Sequence, residues 1–299
     1  MKIAIILNGI SRKKKKFYNL IYPALSKHFD IDIFETKHSG HAESLADQAV
    51  VRKFSFILAA GGDGTLHQVI NGLLKNGGDD LPTVGLIPLG SGNDFARACS
   101  IRLDPEQIIQ LLKTCQPKPT DIGHITCLDG NGRPITRHFI NACSVGMGPE
   151  VVKRLSKSSK SWGPSLSYFS SIVSTFLTHR PQFVEVKMSQ KEWSGNARVV
   201  AIANGQSFGN SIYIAPDAQL DDGSFNSFIA GEVPLLKFLL YLQTIKGKKK
   251  INDQLIHYHS TSGAELSAPA SCTIEAEGEI VGLLPAKIKI LPKRINFLR

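Results

Sequence analysis

Cysteine is scarce in this sequence and nowhere arranged for chemistry. The five residues stand at 99, 115, 127, 143 and 272, odd in number and without a Cys-x-x-Cys pair. Such spacing argues against a zinc site or a disulfide framework and for a reducing, cytoplasmic setting. Long apolar runs are also missing. The richest, 233–245, covers about a dozen residues and contains Lys237, well short of the ~20 that a membrane-spanning helix needs. The opening MKIAIILNG is shorter than the apolar core of a secretory leader and reads as a first strand. Acidic residues are the minority, 25 against 35 basic, for a formal net charge of +10. That excess favours an anionic partner. Nucleic acid is not the expected one, because no helix-turn-helix, zinc-finger or RNP-like pattern accompanies the charge. The basic residues gather at 12–16, 153–160 and 246–250. Each run alone reads as a solvated face; together they fit a protein that visits an anionic membrane surface.

What is present is a repeated strand, glycine turn and helix. With 299 residues, 42% of them hydrophobic and 20% charged, the chain is long enough for two domains. Ser55–Ala60 is an apolar run of strand length that ends in Gly61-Gly62-Asp63-Gly64-Thr65. Leu66, Val69, Ile70, Leu73 and Leu74 follow at helical spacing. The glycines let backbone approach a ligand, and the N–H groups opening the helix suit a phosphate. Asp63 sets a carboxylate where a phosphate or its metal ion would lie; the alternative is a plain βα turn capped by Asp63 or Thr65. Thr83–Pro88 is a second buried strand, followed by Leu89-Gly90-Ser91-Gly92-Asn93-Asp94 and a helix that Asn93 or Asp94 caps. Two such loops at the carboxyl ends of neighbouring parallel strands would share one crevice.

GGDGTLHQVING followed by PLGSGNDFAR resembles the catalytic domain of the diacylglycerol kinase and sphingosine kinase superfamily, nearest its compact bacterial lipid kinases. The two motifs in this order and spacing are specific, and the resemblance extends more weakly over nearly the whole chain. It implies a Rossmann-like α/β domain with a parallel sheet, of the NAD kinase and diacylglycerol kinase type, over 1–118 with 286–299 returning. A β-rich sandwich that binds lipid is implied over 119–285. The implied activity is transfer of the γ-phosphoryl of ATP to a lipid hydroxyl, diacylglycerol foremost, with Mg2+. The protein would be cytoplasmic and peripheral on an anionic membrane, without a transmembrane segment, and a homodimer is an option. An NAD kinase-like enzyme shares the GGDG loop but not LGSGNDFA. A non-catalytic lipid- or nucleotide-binding member is the other alternative.

Carried over residue by residue, the resemblance places the nucleotide on Gly61, Gly62, Asp63, Gly64, Thr65, Leu66, His67, Ser91, Gly92, Asn93 and Asp94. Asn8, Ser11, Arg12 and Thr36 join them, although Asn8-Gly9-Ile10-Ser11-Arg12 lacks the proline and second glycine of the family's Asn-Pro-x-Ser-Gly loop. The family's metal site falls on Gln219, Asp222 and Ser224, with main-chain carbonyls at the two non-acidic positions. The family's Asp-Gly-Glu is here Glu277-Gly278-Glu279, so the catalytic carboxylates are Glu277 and Glu279 with Asp63. If a strand runs through 275–279, Glu275, Glu277 and Glu279 share one face.

Local patterns add candidate elements. Lys2–Leu7 and Ile31–Thr36 read as strands, and Phe17–Leu25 and Asp104–Thr114 as helices. PKPT at 117–120 reads as a linker. His124–Leu128 and Ile135–Ala142 form a predicted hairpin, with strands at Phe183–Met188, Ala197–Asn204, Ser224–Ala230, Leu255–Ser260, Ala264–Ser267 and Cys272–Ala276. Only Pro164–Leu177 and Val233–Ile245 read as helices in this half. Met147, Trp162, Tyr168, Phe169, Phe176, Leu177 and the run 238–241 are candidates for an acyl-chain groove or for core.

Overall fold

The computed structural model describes residues 2–75, 77–157 and 164–299, and of 164–166 the backbone alone. Trp162 and the end of the basic run 153–160, from 158 on, lie outside them. The chain divides into two units, residues 1–120 with 293–299, and residues 121–292.

In the first unit β1 (Lys2–Leu7), β2 (Asp30–Glu35), β3 (Phe56–Gly61) and β4 (Thr83–Pro88) make a parallel sheet in the order β2–β1–β3–β4. Phe297, near the chain's end, pairs in parallel with Val84 of β4. β1, β3 and β4 are almost wholly buried, as unbroken apolar runs must be when helices cover both sheet faces. On one face Ile3, Ile5, Leu7, Leu58 and Ile87 pack with Phe17, Ile21 and Leu25. Those three come from a helical segment made of α1 (Lys14–Lys16), a π-turn (Phe17–Ile21) and α2 (Tyr22–Leu25). Ile108 and Leu112 of α6 (Pro105–Thr114) complete that layer. α6 starts where Asp104 accepts the Glu106 N–H at 3.0 Å and Pro105 occupies the first turn, a standard pairing of cap and pre-set φ. α3 (His41–Val51) and α4 (Asp63–Leu74) pack on each other. α5 (Asp94–Ala98) is a single short turn of helix after β4. The strand order reverses between β1 and β3, which leaves a crevice at the carboxyl ends of these strands.

The second unit is built from antiparallel strands. β5 (Lys118–Leu128), whose first three residues belong to the first unit, pairs with β6 (Pro134–Phe139) as a hairpin. β7 (Ala142–Gly146), β10 (Val199–Ala203), β11 (Phe225–Ala230), β12 (Ile256–Thr261) and β14 (Thr273–Ala276) make one sheet. β8 (Gln182–Met188), β9 (Glu192–Ala197) and β13 (Gly263–Ser267) make a second with β15 (Glu279–Phe297), which also pairs with β14. Period-two alternation decides the layers. Val200 and Ile202 of β10 meet Val184, Val186, Leu266 and Ile288 in the sandwich core. Ala201 and Ala203 face the other way, onto Val151, Ile172, Leu242 and Ile245. Those four belong to α7 (Met147–Lys157), α8 (Pro164–Thr178) and α9 (Leu235–Lys246). The result is sheet on sheet, with a helical layer over one face. Among the described residues no helix is long and apolar enough to cross a membrane.

Several expectations need correction. α7 is a third helix of this unit where only two were read; its opening Gly148-Pro149 looks like a breaker, yet Pro is well placed in a first turn. The segment 135–142 is not one strand: β6 stops at Phe139 and β7 starts at Ala142. β9 was not read, because a polar edge strand with Gly195 carries little alternation. Residues 118–120 of the proposed linker open β5. The three glutamates do not share a strand face either. β14 ends at Ala276, Glu277 and Gly278 turn the chain at φ 55° and 79°, and β15 begins at Glu279.

The α3–α4 contact is tight enough to test. A Cβ at Gly72 would lie 2.2 Å from the Glu43 carbonyl oxygen and 2.7 Å from Ala46 Cβ. Gly72→Ala is therefore expected to destabilise the chain by about 1–3 kcal/mol through overpacking, read from urea denaturation. An unchanged midpoint would mean that the helices separate at no cost.

Candidate active site

Three loops of the first unit are tied into one structure at the carboxyl ends of β1, β3 and β4. The N–H groups of Leu89 and Gly90 both donate to the Gly61 carbonyl, at 2.8 and 3.0 Å. A Cβ on Gly90 would sit 2.4 Å from Gly62 Cα, so the two backbones touch where any side chain would part them. Asn8 Nδ2 donates to Thr65 Oγ1 at 3.3 Å, and Lys13 Nζ donates to the Gly90 carbonyl at 2.5 Å. The N–H of Gly9 donates to Oγ1 of the buried Thr36 at 3.1 Å.

Asp63 is the strongest of these ties. Its Oδ2 accepts the Asp94 N–H and its Oδ1 the Phe95 N–H, both at 3.1 Å. The carboxylate thus caps α5 from a loop about thirty residues upstream. Burial, and then the neighbouring Asp94 carboxylate, push Asp63 above the usual carboxylate range, against the pull of the two N–H donors. Asp94 itself pairs with Arg97 at 2.6 Å. α4 starts at Gly62, which has no side chain, and no side chain caps it. Its first N–H groups, with the positive end of the helix dipole, are what a phosphate requires.

The other predicted nucleotide residues divide. Gly64 lies in the uncapped first turn of α4, and Ser91, Gly92 and Asn93 form the second loop, with Asn93 Nδ2 on the Gly90 carbonyl at 3.1 Å. Ser11 and Asn8 stabilise their own turn, through the N–H groups of Lys13 and Ile10, and Arg12 is exposed. Leu66 and His67 are buried, and the Leu66 N–H donates to the Gly62 carbonyl. Leu66 is a packing residue and offers a ligand neither side chain nor N–H.

In the second unit burial sorts the three glutamates. Glu277 Oε1 accepts the N–H groups of Ile140, Asn141 and Ala142, at 3.0, 2.5 and 3.3 Å. Glu275 is buried; its Oε1 accepts from Ser144 Oγ and its Oε2 from the Gly278 N–H at 3.0 Å. Burial pushes Glu275 up to about 7, although both hydrogen bonds favour the ionised form. Glu279 opens β15 and is part-exposed. Sequence reasoning assigned Glu275 no role of its own; its place between two apolar residues, Ile274 and Ala276, was the available signal.

The 219–224 loop is a tight turn. Asp222 Oδ1 accepts the Ser224 N–H at 3.0 Å, Ser224 Oγ lies 2.5 Å from Ser260 Oγ, and Gln219 is exposed. Below it the fully buried Asp121, not singled out from the sequence, accepts the Gly223 N–H at 2.7 Å. Among the described residues no three His, Cys, Asp or Glu side chains cluster. An ion here would take the Asp222 carboxylate and main-chain carbonyls with water, an oxygen-only set that fits magnesium. Of the acyl-groove candidates, Phe238 and Tyr241 pack against the helical core and the buried Phe176 stacks on Phe238, whereas Leu239 and Leu240 are exposed.

An α/β unit with paired phosphate-type loops, joined to a sandwich with a buried carboxylate turn, defines a class of small-molecule and lipid kinases. Comparison with known proteins narrows it. Residues 2–125 match the diacylglycerol kinase catalytic domain, and 142–299 match the YegS C-terminal NAD kinase beta sandwich-like domain. The Bacillus subtilis diacylglycerol kinase is 30% identical over 271 residues, covering 90% of this chain and 85% of that one. A "probable lipid kinase YegS-like" of Yersinia enterocolitica is 26% identical over 98% of this chain and 95% of its own. A solved diacylglycerol kinase structure from Bacillus anthracis superposes with a TM-score of 0.74 at 21% identity, covering 99% and 96% of the two chains. Yeast NADH kinase shares the fold at a TM-score of 0.56 and 10% identity, over 99% of this chain and 82% of its own. The chain belongs to the diacylglycerol kinase and YegS-like lipid kinase family.

Two predictions follow from the carboxylates. Asp63→Asn keeps one acceptor oxygen but turns an amide N–H toward the second donor. It should lower stability by about 1–2 kcal/mol in chemical denaturation; an unchanged midpoint would return Asp63 to ligand binding alone. Glu275 binds a proton more tightly folded than unfolded, so its contribution to stability falls as pH rises from its ordinary 4.5 to about 7. Glu275→Gln can still accept from Gly278, and the Ser144 hydroxyl can turn to accept. The variant should therefore gain on the parent between about pH 5 and pH 8, by up to roughly 3 kcal/mol. A pH-independent difference in melting temperature would refute the assignment.

Proposed function

We propose that this protein is an ATP-dependent lipid kinase that transfers the γ-phosphoryl of ATP to a lipid hydroxyl, with diacylglycerol as the first candidate acceptor and phosphatidate as product. The observation that carries the reading is the uncapped start of α4 at Gly62, held beside Gly90 by the Gly61 and Asp63 hydrogen bonds. In this reading Gly62–Gly64 and the 90–93 loop hold the phosphates of ATP. Asp63 keeps that second loop in place and is a positioning residue. Asp222 and the carbonyls at 219 and 224 would hold magnesium, which neutralises phosphate charge when bound.

We place the base at Glu279, which matches the glutamate of the family's Asp-Gly-Glu and stands part-exposed at the start of β15. Glu277 already receives three N–H bonds, each of which would weaken if the carboxylate took a proton. The buried Glu275 is bound to Ser144 and Gly278. Glu279 accepts the proton of the lipid hydroxyl as its oxygen bonds to the γ-phosphorus; the bond to the bridging oxygen breaks and ADP leaves. The acceptor resides in a membrane, so the chain meets it at the bilayer surface.

Labelled ATP incubated with a total lipid extract, resolved by thin-layer chromatography, tests this directly. A labelled lipid is expected, co-migrating with phosphatidate when diacylglycerol is supplied. Glu279→Gln should lower kcat by about 10²–10⁴ with little change in melting temperature. Glu277→Gln should act mainly on the stability of the turn. With NAD supplied in a parallel reaction, label on NAD and not on any lipid would overturn the lipid reading, and parental kcat in Glu279→Gln would overturn the choice of base.

A further inference from the structure

α9 carries more apolar surface than its fold requires. At about 100° per residue, Leu242, Ile245, Phe238 and Tyr241 share the side that packs on the helical core. The opposite side should be polar in a helix lying on a globular unit. It carries Leu235, Leu236, Leu239 and Leu240 instead, a stripe roughly 140° wide, with Leu236 78% and Leu240 62% exposed. α8 lies alongside: the Phe176 and Phe238 rings stack at 4.1 Å, and Lys246 Nζ stands 5.4 Å from the Phe169 ring centre. α8 adds the exposed Phe169 and Leu177 to the pair.

Charge identifies the occupant. No acidic residue occurs between Glu232 and Asp253, while Lys246, Lys248, Lys249 and Lys250 close the helix and the turn after it. Lys237 and Lys250 are paired with Asp253 and Asp217. Lys246, Lys248 and Lys249 are exposed and make no ion pair among the described residues. Lys246 follows the leucine stripe two turns on from Leu239. The arrangement of leucines with lysines at one end is that of a helix lying in a bilayer interface, apolar side among acyl chains and ammonium groups among anionic headgroups. The lysines of the 12–16 run are a poorer match, since Lys13 is bonded to the Gly90 carbonyl and Lys14 is paired with Glu35.

We propose that the outward face of α9, with Lys246, Lys248 and Lys249 at its end, is the surface by which this protein docks on anionic membranes. The proposal deepens the lipid-kinase reading by naming where the enzyme meets the membrane, and it rests on that reading for the membrane residence of the substrate. Its own evidence is the helix.

Flotation of the purified chain with phosphatidylcholine vesicles, with and without phosphatidylglycerol, is the test, made without ATP so that turnover plays no part. The parent should float with the anionic vesicles. Leu236→Ser combined with Leu240→Ser should lower vesicle partitioning by about tenfold while leaving the melting temperature unchanged. Lys246→Gln with Lys248→Gln and Lys249→Gln should abolish the preference for phosphatidylglycerol. The leucine variant should still phosphorylate a short-chain diacylglycerol presented as monomers, which separates docking from chemistry. Parental flotation by the leucine variant would overturn the proposal. So would a parent that is dimeric in solution, fails to float and becomes monomeric in the leucine variant, because the face would then be an interface between copies. Flotation behaving as expected in a chain that phosphorylates no lipid would uphold the docking face and remove the kinase reading alone.

Discussion

The first unit depends on one carboxylate bridging two loops. A helix that starts on glycine without a cap leaves N–H groups unmet, which costs stability unless a ligand or water meets them. α4 starts in that way at Gly62, while the shorter α5 nearby is capped by Asp63 from the loop of α4 itself. One helix start is thereby closed and the other left open. The same bonds press Gly62 against Gly90, so the open start lies on a rigid floor of two backbones. Raising Asp63 above its ordinary range is the electrostatic cost of enclosing it beside Asp94, and the two N–H donors partly offset that cost.

Much of this unit was legible in the sequence because its information is local. Thr83–Pro88 and Lys2–Leu7 were bounded correctly from apolar runs ending in glycine or asparagine, since parallel strands buried on both faces show no alternation to misread. The Gly61–Thr65 and Gly90–Asp94 loops announced themselves by composition. The use of Asp63 did not. A cap that reaches about thirty residues along the chain leaves no pattern at either end, and the same is true of Asp121 under the 220–224 turn. In the second unit β9 and α7 escaped for a different reason: an edge strand and a helix touching the core along a narrow stripe carry few of the apolar residues that periodicity needs.

The glutamate turn shows how far residue type underdetermines role. Read as a strand, Glu275, Glu277 and Glu279 would crowd three charges on one face. The left-handed conformations of Glu277 and Gly278 break that geometry and send the three carboxylates to different environments. One is buried between Ser144 and the turn, one lies over three N–H groups of the 140–142 segment, and one stands at the start of β15. The extra methylene of Glu277 relative to the family's aspartate extends its reach toward that N–H cluster by about 1.3 Å. In the proposed mechanism, substitution at this position preserves the turn and leaves proton transfer to its neighbour.

Folding alone does not explain the outer face of α9. Leucines that stay in water when the chain folds gain nothing over the unfolded state, and they raise the risk of association. The inner face of the helix already supplies what the second unit needs, with Leu242 and Ile245 buried over Ala201 and Ala203. Four outward leucines in two turns are thus a feature that stability does not select. Soluble helices with this composition are found where a second apolar phase is within reach. For the lipid kinase proposed here, with its acceptor dissolved in a bilayer, that phase is the one to be approached in every turnover. In the docking proposed for α9, an apolar face that is a liability in water becomes the means of staying with the substrate, and the lysines at its end bias the encounter toward anionic leaflets before any acyl chain is touched.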